Sequence, residues 1–314
     1  IKYMKLMRNL SIILILILSC LVARGQQRQT RSHTANIAKN LQMVPADTKL
    51  KVSSSVSFSE KNGKLSIKAN GIPNHEVGQF PNRGNPHAIK EQRYRFEFEV
   101  NPVANPISKP LHNVSQNSYK GPPNIPFGIA VNGVIFDPGT AEFWKGDLNS
   151  GWNYCALGGA VRLGLDENHA HVQPSGTYHY HGMPVGLLDQ INLQAEKHSP
   201  LVGWAADGYP IYALYGYAEK GSKKIIKHTS SFRLKFGRRP NPPDGPGGKY
   251  DGAFVQDYVY EKGTGTLDEC NGCFTETPEF PGGTYAYFIT EKWPVIPCAF
   301  RANPEILPRS RRNR

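Results

Sequence analysis

Residues 168–182 read NHAHVQPSGTYHYHG, and this stretch is the clearest structural signal in the chain. Its centre, Pro174-Ser175-Gly176, has the residues that a three-residue hairpin loop requires. Proline suits the second position of a type I turn, and glycine suits the left-handed position that follows it. The stretch therefore predicts a β-hairpin whose two strands flank this loop.

The register of this hairpin places the histidines in cross-strand pairs. Pairing outward from Ser175 sets His171 opposite His179, and His169 opposite His181. Because side chains alternate across a strand, all four imidazoles are predicted to project from one face. Directly opposed Cβ atoms lie about 4.5–5.5 Å apart, so the imidazoles would form a compact patch. The other face of the hairpin is expected to belong to the core: Ala170, Val172, Tyr178 and Tyr180.

A cluster of neutral imidazoles is a typical transition-metal site. We predict a copper or zinc site, between which the sequence does not choose, with these ligands: His169, His171, His179 and His181. Just upstream, Asp166 and Glu167 could ligate the metal or orient the imidazoles. The alternative is that the histidines hydrogen-bond to backbone and carboxylates and only stabilise the hairpin.

Other chemistry-bearing residues are less informative. Asp137 and Glu142 could act as acids or bases, and His75 or His198 could complete a site. The chain has no Gly-x-Ser-x-Gly nucleophile elbow and no phosphate-binding glycine loop followed by a helix. Metal-assisted hydrolysis or oxidation therefore leads among the enzymatic options, and catalytic residues stay unknown. Whether the chain is an enzyme is left open.

The rest of the chain indicates a mostly β fold. With 31 Gly and 25 Pro in 314 residues, it suits short strands joined by tight turns. Residues 94–100 alternate apolar and charged side chains, and Asn132-Gly133 is a hairpin dipeptide. The best helix candidate is Leu187 to Glu196. We expect one large domain of short antiparallel strands over residues 50–305, sandwich-like or barrel-like, with few helices.

The N-terminus indicates export. Three basic residues precede the apolar run from Leu10 to Val22, which small residues follow, as in a secretory signal peptide. We predict a signal peptide over residues 1–25, a linker over 26–48 and a basic tail over 306–314. No transmembrane segment is expected, because the apolar run is short. In a bacterial source, Ile17-Leu-Ser-Cys20 would instead serve as a lipobox, with Cys20 lipidated.

Charge and cysteine content narrow the function classes. The net charge is +12, but residues 1–31 hold six basic and no acidic residues, and residues 301–314 hold five Arg and one Glu. The body between them therefore carries only +2, which argues against a nucleic-acid-binding face. Four cysteines follow the signal region, and in an exported chain they predict two disulfides of undetermined pairing: Cys155, Cys270, Cys273 and Cys298.

The motif Tyr178-His-Tyr-His181 and four further segments resemble the YHYH family of exported proteins. Those segments are Asn70–His75, Asn132–Trp144, Gly203–Tyr212 and Leu267–Gly272. The resemblance implies family membership and export more than an activity. Related sequences often carry a histidine where this chain has Ala286, which raises the question of reduced or lost activity.

Three functions are compatible with these patterns. The first is a secreted, extracellular metal-binding protein whose four-histidine face could support a reaction that the sequence does not identify. The alternative is an extracellular matrix or structural protein with interaction partners and no catalysis. A third, a carbohydrate-binding or carbohydrate-cleaving module, rests only on the Tyr and Trp side chains, most of which we expect in the core.

Overall fold

The computed structural model describes residues 42–46, 50–111, 114–115, 118–119 and 126–305. The predicted signal peptide with Cys20, most of the predicted linker and the basic tail lie outside these residues. Within the described residues, no helix is both long and apolar enough to span a membrane.

The described residues are mostly β, as the sequence predicts. The strands are β1 (Met43–Pro45), β2 (Val56–Lys61), β3 (Lys64–Ala69), β4 (Glu76–Gly78), β5 (Tyr94–Glu99), β6 (Lys109–Pro110), β7 (Val114–Ser115), β8 (Ser118–Tyr119), β9 (Gly128–Ala130), β10 (Ile135–Phe136), β11 (Ala170–Val172), β12 (Tyr178–Tyr180), β13 (Gly203–Ala205), β14 (Pro210–Ala213), β15 (Tyr215–Tyr217), β16 (Ile225–Lys227), β17 (Phe232–Leu234), β18 (Tyr258–Tyr260), β19 (Gly272–Thr275), β20 (Thr284–Ile289) and β21 (Ala299–Phe300). The helical segments are α1 (Val185–Gln190) and three 3₁₀ turns: Trp144–Gly146, Leu148–Ser150 and Val255–Asp257. Helix α1 is shorter than the predicted helix from Leu187 to Glu196 and begins two residues earlier.

A mixed sheet organises the fold. Its strand order is β11-β12-β10-β9-β13-β14-β20-β19, so β11 and β19 are open edges and the sheet is not a closed barrel. Most neighbours are antiparallel as predicted, but β10 pairs with β12 and β14 with β20 in parallel. Strands β9, β12 and β14 are buried throughout, because both faces of the sheet are covered.

A second layer consists of β2, β3 and β5 in one antiparallel sheet. Strand β5 alternates buried and exposed residues, which confirms the predicted half-buried strand. Its Phe96 and Phe98 share one core cluster with side chains of the large sheet. The two sheets therefore enclose a common core.

Two predicted hairpins are confirmed. Strands β9 and β10 pair across the turn at Gly133, whose φ of 82° is the left-handed conformation that favours glycine. Strands β11 and β12 pair with His171 opposite His179, the register expected from the loop. Strand β12 lies between β11 and β10, so its position is fixed from both sides.

The prediction of two disulfides is wrong: all four cysteines of the described residues are free thiols. Cys270 belongs to the main core cluster, whereas Cys273 packs in a second small cluster, so these close neighbours in sequence face different surroundings. Burial raises the pKa of Cys155 to about 11 and also raises the pKa of Cys298. Both thiols therefore stay protonated, the form that resists oxidation.

Candidate metal centre

Hydrogen bonds to backbone carbonyls fix the tautomer of two imidazoles in the hairpin. The Nδ1 atom of His171 lies 2.8 Å from the Leu163 carbonyl oxygen, and the Nδ1 atom of His179 lies 3.2 Å from the Thr177 carbonyl oxygen. A carbonyl can only accept, so we assign the proton of each ring to Nδ1. The Nε2 atom of each ring then carries a lone pair, as in a metal-binding histidine.

Three Nε2 atoms converge on one point. The Nε2 atom of His181 lies 3.0 Å from that of His179 and 3.0 Å from that of His171. All three nitrogens lie within 4.8 Å of one another. Small movements of the rings would place each nitrogen at the usual metal–nitrogen distance of about 2.0–2.1 Å from one cation. Among the described residues, this is the one group of three or more His, Cys, Asp or Glu side chains with that compactness.

Burial keeps these imidazoles neutral. It lowers the pKa of His171, and it lowers the pKa values of His179 and His181 well below the ordinary histidine value. Repulsion from the neighbouring imidazoles lowers the pKa values of His179 and His181 further. Neutral imidazole is the form that can ligate a metal ion.

His169 is not brought into this group. Its φ of 51° turns the side chain away from the other imidazoles, and its Nδ1 donates to the Met183 carbonyl at 3.0 Å. The backbone pairing still continues, because the His181 N–H donates to the His169 carbonyl at 2.8 Å. The expectation of four imidazoles on one face is therefore wrong at this position, although the other three follow it.

Asp166 explains this departure. Its carboxylate accepts from the N–H groups of Asn168 and Ala170, and its carbonyl accepts from the N–H of His169. This turn places His169 in the left-handed region just before β11 begins. The carboxylate of Asp166 also accepts from Tyr178 Oη at 2.7 Å and the Gly78 N–H at 2.9 Å. It anchors the hairpin through these bonds rather than through an imidazole, and Glu167 is exposed.

The opposite face of the hairpin is core, as expected. Tyr178 and Tyr180 are fully buried. The Tyr180 hydroxyl donates to His75 Nε2 at 2.5 Å and accepts from Asn132 Nδ2 at 3.0 Å. His75 therefore lies on the other face of the sheet, away from the three-imidazole group.

His198 lies in a third environment. Its Nδ1 donates to the Ser199 carbonyl at 2.8 Å, and its ring packs against Tyr212 and Tyr217. Ala286 belongs to the same small cluster as Tyr212. Five strand steps separate β12 from β20, which corresponds to about 24 Å. The Ala286 departure therefore removes no ligand from the three-histidine group.

The three imidazoles open into a cavity of about 370 Å³. Asp137 and Glu142, the two carboxylates singled out in the sequence, both line it, with Asp137 buried and Glu142 exposed at its mouth. The Gln173 amide donates to the Asp137 carboxylate at 3.2 Å. A metal ion held by three histidines would thus face a cavity that has acidic groups in its wall.

Other wall residues come from distant segments that the sequence patterns did not single out. His87 and the exposed Arg162 line the cavity. The Asn85 Nδ2 atom donates to the Val172 carbonyl at 2.9 Å and lies 3.1 Å from His171 Nδ1. Only a structure brings these residues to the hairpin, because no local motif marks them.

Comparison with known proteins gives one match. A family model described as YHYH protein matches residues 106–302, a span that holds the hairpin, Asp137 and Glu142. Asn85 and His87 precede the matched span. No curated protein and no solved structure matches the chain.

Proposed function

The chain belongs to the YHYH protein family, and we propose from the geometry of its hairpin that it is an exported transition-metal-binding protein with His171, His179 and His181 as ligands. The observation that carries the proposal is the convergence of three Nε2 atoms, with that of His181 lying 3.0 Å from each of the other two. Export rests on the N-terminal basic and apolar pattern. A core cluster with side chains from Ala46 to Ala302 supports a single folded domain over residues 50–305.

A cation explains the geometry better than hydrogen bonding does. With protons on Nδ1 of His171 and His179, two Nε2 lone pairs face His181 Nε2. In the absence of a cation, only a proton on His181 can relieve this repulsion, and one proton cannot serve both neighbours fully. One metal ion satisfies all three nitrogens at once.

The ligand set favours zinc or copper, since imidazole suits both. Three protein ligands beside a cavity leave a coordination position open to water or a small ligand, which is typical of catalytic rather than structural zinc sites. A bound zinc would make its water more acidic, and a bound copper would add redox chemistry. Asp137 and Glu142 are placed to hold or move a proton in that cavity.

The test is metal content in matched variants. Purified protein is loaded with zinc or copper(II), freed of excess metal and analysed for metal per chain. We expect about one ion in the wild type and in His169→Ala, and near none in His171→Ala, His179→Ala and His181→Ala with folding retained. The alternative, an extracellular structural protein, predicts lower melting temperatures for the same variants and no bound metal in any of them.

A further inference from the structure

A second cavity of about 740 Å³ lies on another part of the surface. Three half-buried aromatic side chains line it: Trp144, Trp152 and Tyr250. Its volume lies within the range of about 300–1,000 Å³ that small-ligand sites occupy. The Lys145 ammonium lies over the Trp144 ring and the Lys235 ammonium lies over the Tyr250 ring, so Trp152 is the ring best placed to stack on a ligand.

The backbone of both tryptophans is paired, and the Trp152 side chain is held in place. Phe143 and Asn153 form a backbone bridge, and the Trp144 N–H donates to the Trp152 carbonyl at 2.9 Å. The Trp152 ring packs edge-on against Phe254 with centroids 5.6 Å apart, and its Nε1 donates to the Asp244 carbonyl at 3.3 Å. Binding of a ligand to the Trp152 ring would therefore cost little conformational entropy, because that side chain is already ordered.

The polar side chains around the rings carry no net charge as a group. Lys145 and Lys235 are matched by Asp147 and Asp244 in the same cavity wall. The Lys145 ammonium sits 4.3 Å from the centre of the Trp144 ring, within cation–π range. A polyanion such as a nucleic acid would need an excess of basic groups here, which the wall does not have.

Amide side chains add planar donors and acceptors. Asn149 and Gln256 both line the cavity. The Gln256 Oε1 accepts from the Asn153 N–H at 2.9 Å, so the side chain is fixed in place. Amides and carboxylates each bond two adjacent hydroxyl groups well, because their paired atoms match the spacing of those hydroxyls.

We propose that this cleft binds a neutral oligosaccharide. Pyranose rings have an apolar C–H face that stacks on an aromatic side chain and a rim of hydroxyl groups that needs donors and acceptors. The cleft combines both features with balanced charge. Adjacent segments of the chain line the two cavities, since residues between 137 and 142 line the first and residues between 144 and 152 line the second. The binding itself does not depend on a metal ion.

The test begins with the full chain on a glycan array that carries neutral and uronate-containing glycans. The best neutral glycan is then titrated by tryptophan fluorescence against the variants Trp152→Ala and Asn149→Ala. The matched control is Phe236→Ala, which removes an aromatic ring that is 99% exposed and outside the cleft. Circular dichroism confirms that each variant is folded.

We expect saturable binding of a neutral glycan, weakened at least about tenfold by Trp152→Ala or Asn149→Ala and unchanged by Phe236→Ala. The His179→Ala variant should bind the glycan as the wild type does, which separates this result from the metal proposal. Absence of binding on the array, binding of anionic glycans alone, or wild-type affinity in both cleft variants would overturn the proposal.

Discussion

The buried carboxyl of Asp166 makes the stability of the hairpin depend on pH. Burial raises its pKa to about 6 from an ordinary value of 3.8, against the opposing effect of its hydrogen bonds from the Gly78, Asn168 and Ala170 N–H groups and the Tyr178 hydroxyl. The folded chain therefore holds this proton at pH values where the unfolded chain has released it. Its stabilising contribution is complete below about pH 4 and is lost as the pH rises through about 6. A shift of this size corresponds to about 3 kcal/mol.

The variant Asp166→Asn removes this titration. In the wild type Oδ1 accepts from the Asn168 and Ala170 N–H groups, and Oδ2 accepts from Tyr178 and Gly78. The single amide oxygen of the variant can replace only one of these two oxygens, so we expect it to be about 2–3 kcal/mol less stable than the wild type near pH 4. The difference should shrink by roughly 2 kcal/mol on going to about pH 7.5, because only the wild type must ionise a buried carboxyl. Urea denaturation at several pH values measures both free energies of unfolding. A stability difference that stays constant over this range would show that the pKa of Asp166 is not raised in the folded chain.

Three further predictions concern the hairpin and its surroundings. Tyr180→Phe removes the hydroxyl that bonds His75 and Asn132. We expect it to lower the free energy of unfolding by about 1–3 kcal/mol and to leave the metal content unchanged. Loss of metal would contradict the separation of the two faces of the hairpin. Gly133→Ala places a Cβ at 2.7 Å from the Ala69 Cβ in a left-handed turn and should cost more than about 1 kcal/mol in urea denaturation, whereas unchanged stability would show that the turn relaxes. Zinc at about 100 times its dissociation constant should stabilise the wild type and His169→Ala by about 2.7 kcal/mol in thermal unfolding, reversed by a chelator and absent in His181→Ala.

Local chemistry made the hairpin predictable. The loop Pro174-Ser175-Gly176 fixed both the turn and the register, and strand alternation then assigned His171 and His179 to one face. The position of His169 was not predictable from alternation, because the strand period applies only inside the strand. The order Asp166-Glu-Asn-His169 does carry a turn signal, and giving it weight would have removed this residue from the ligand set.

Non-local contacts account for what the sequence did not predict. The parallel pairing of β10 with β12 joins segments more than 40 residues apart, and no residue pattern encodes that choice. The same is true of Asn85 and Arg162, which reach the cavity only because the chain folds back. The cysteine count suggested bridges, but spacing alone does not show that Cys270 and Cys273 pack into separate clusters.

Anomalous diffraction from crystals grown with zinc shows whether the three histidines bind one metal ion. We expect a single zinc peak about 2.0–2.1 Å from the Nε2 atoms of His171, His179 and His181, with a further position open toward the cavity. Absence of a peak at the three Nε2 atoms, or a peak whose ligands include His169 in their place, would contradict it.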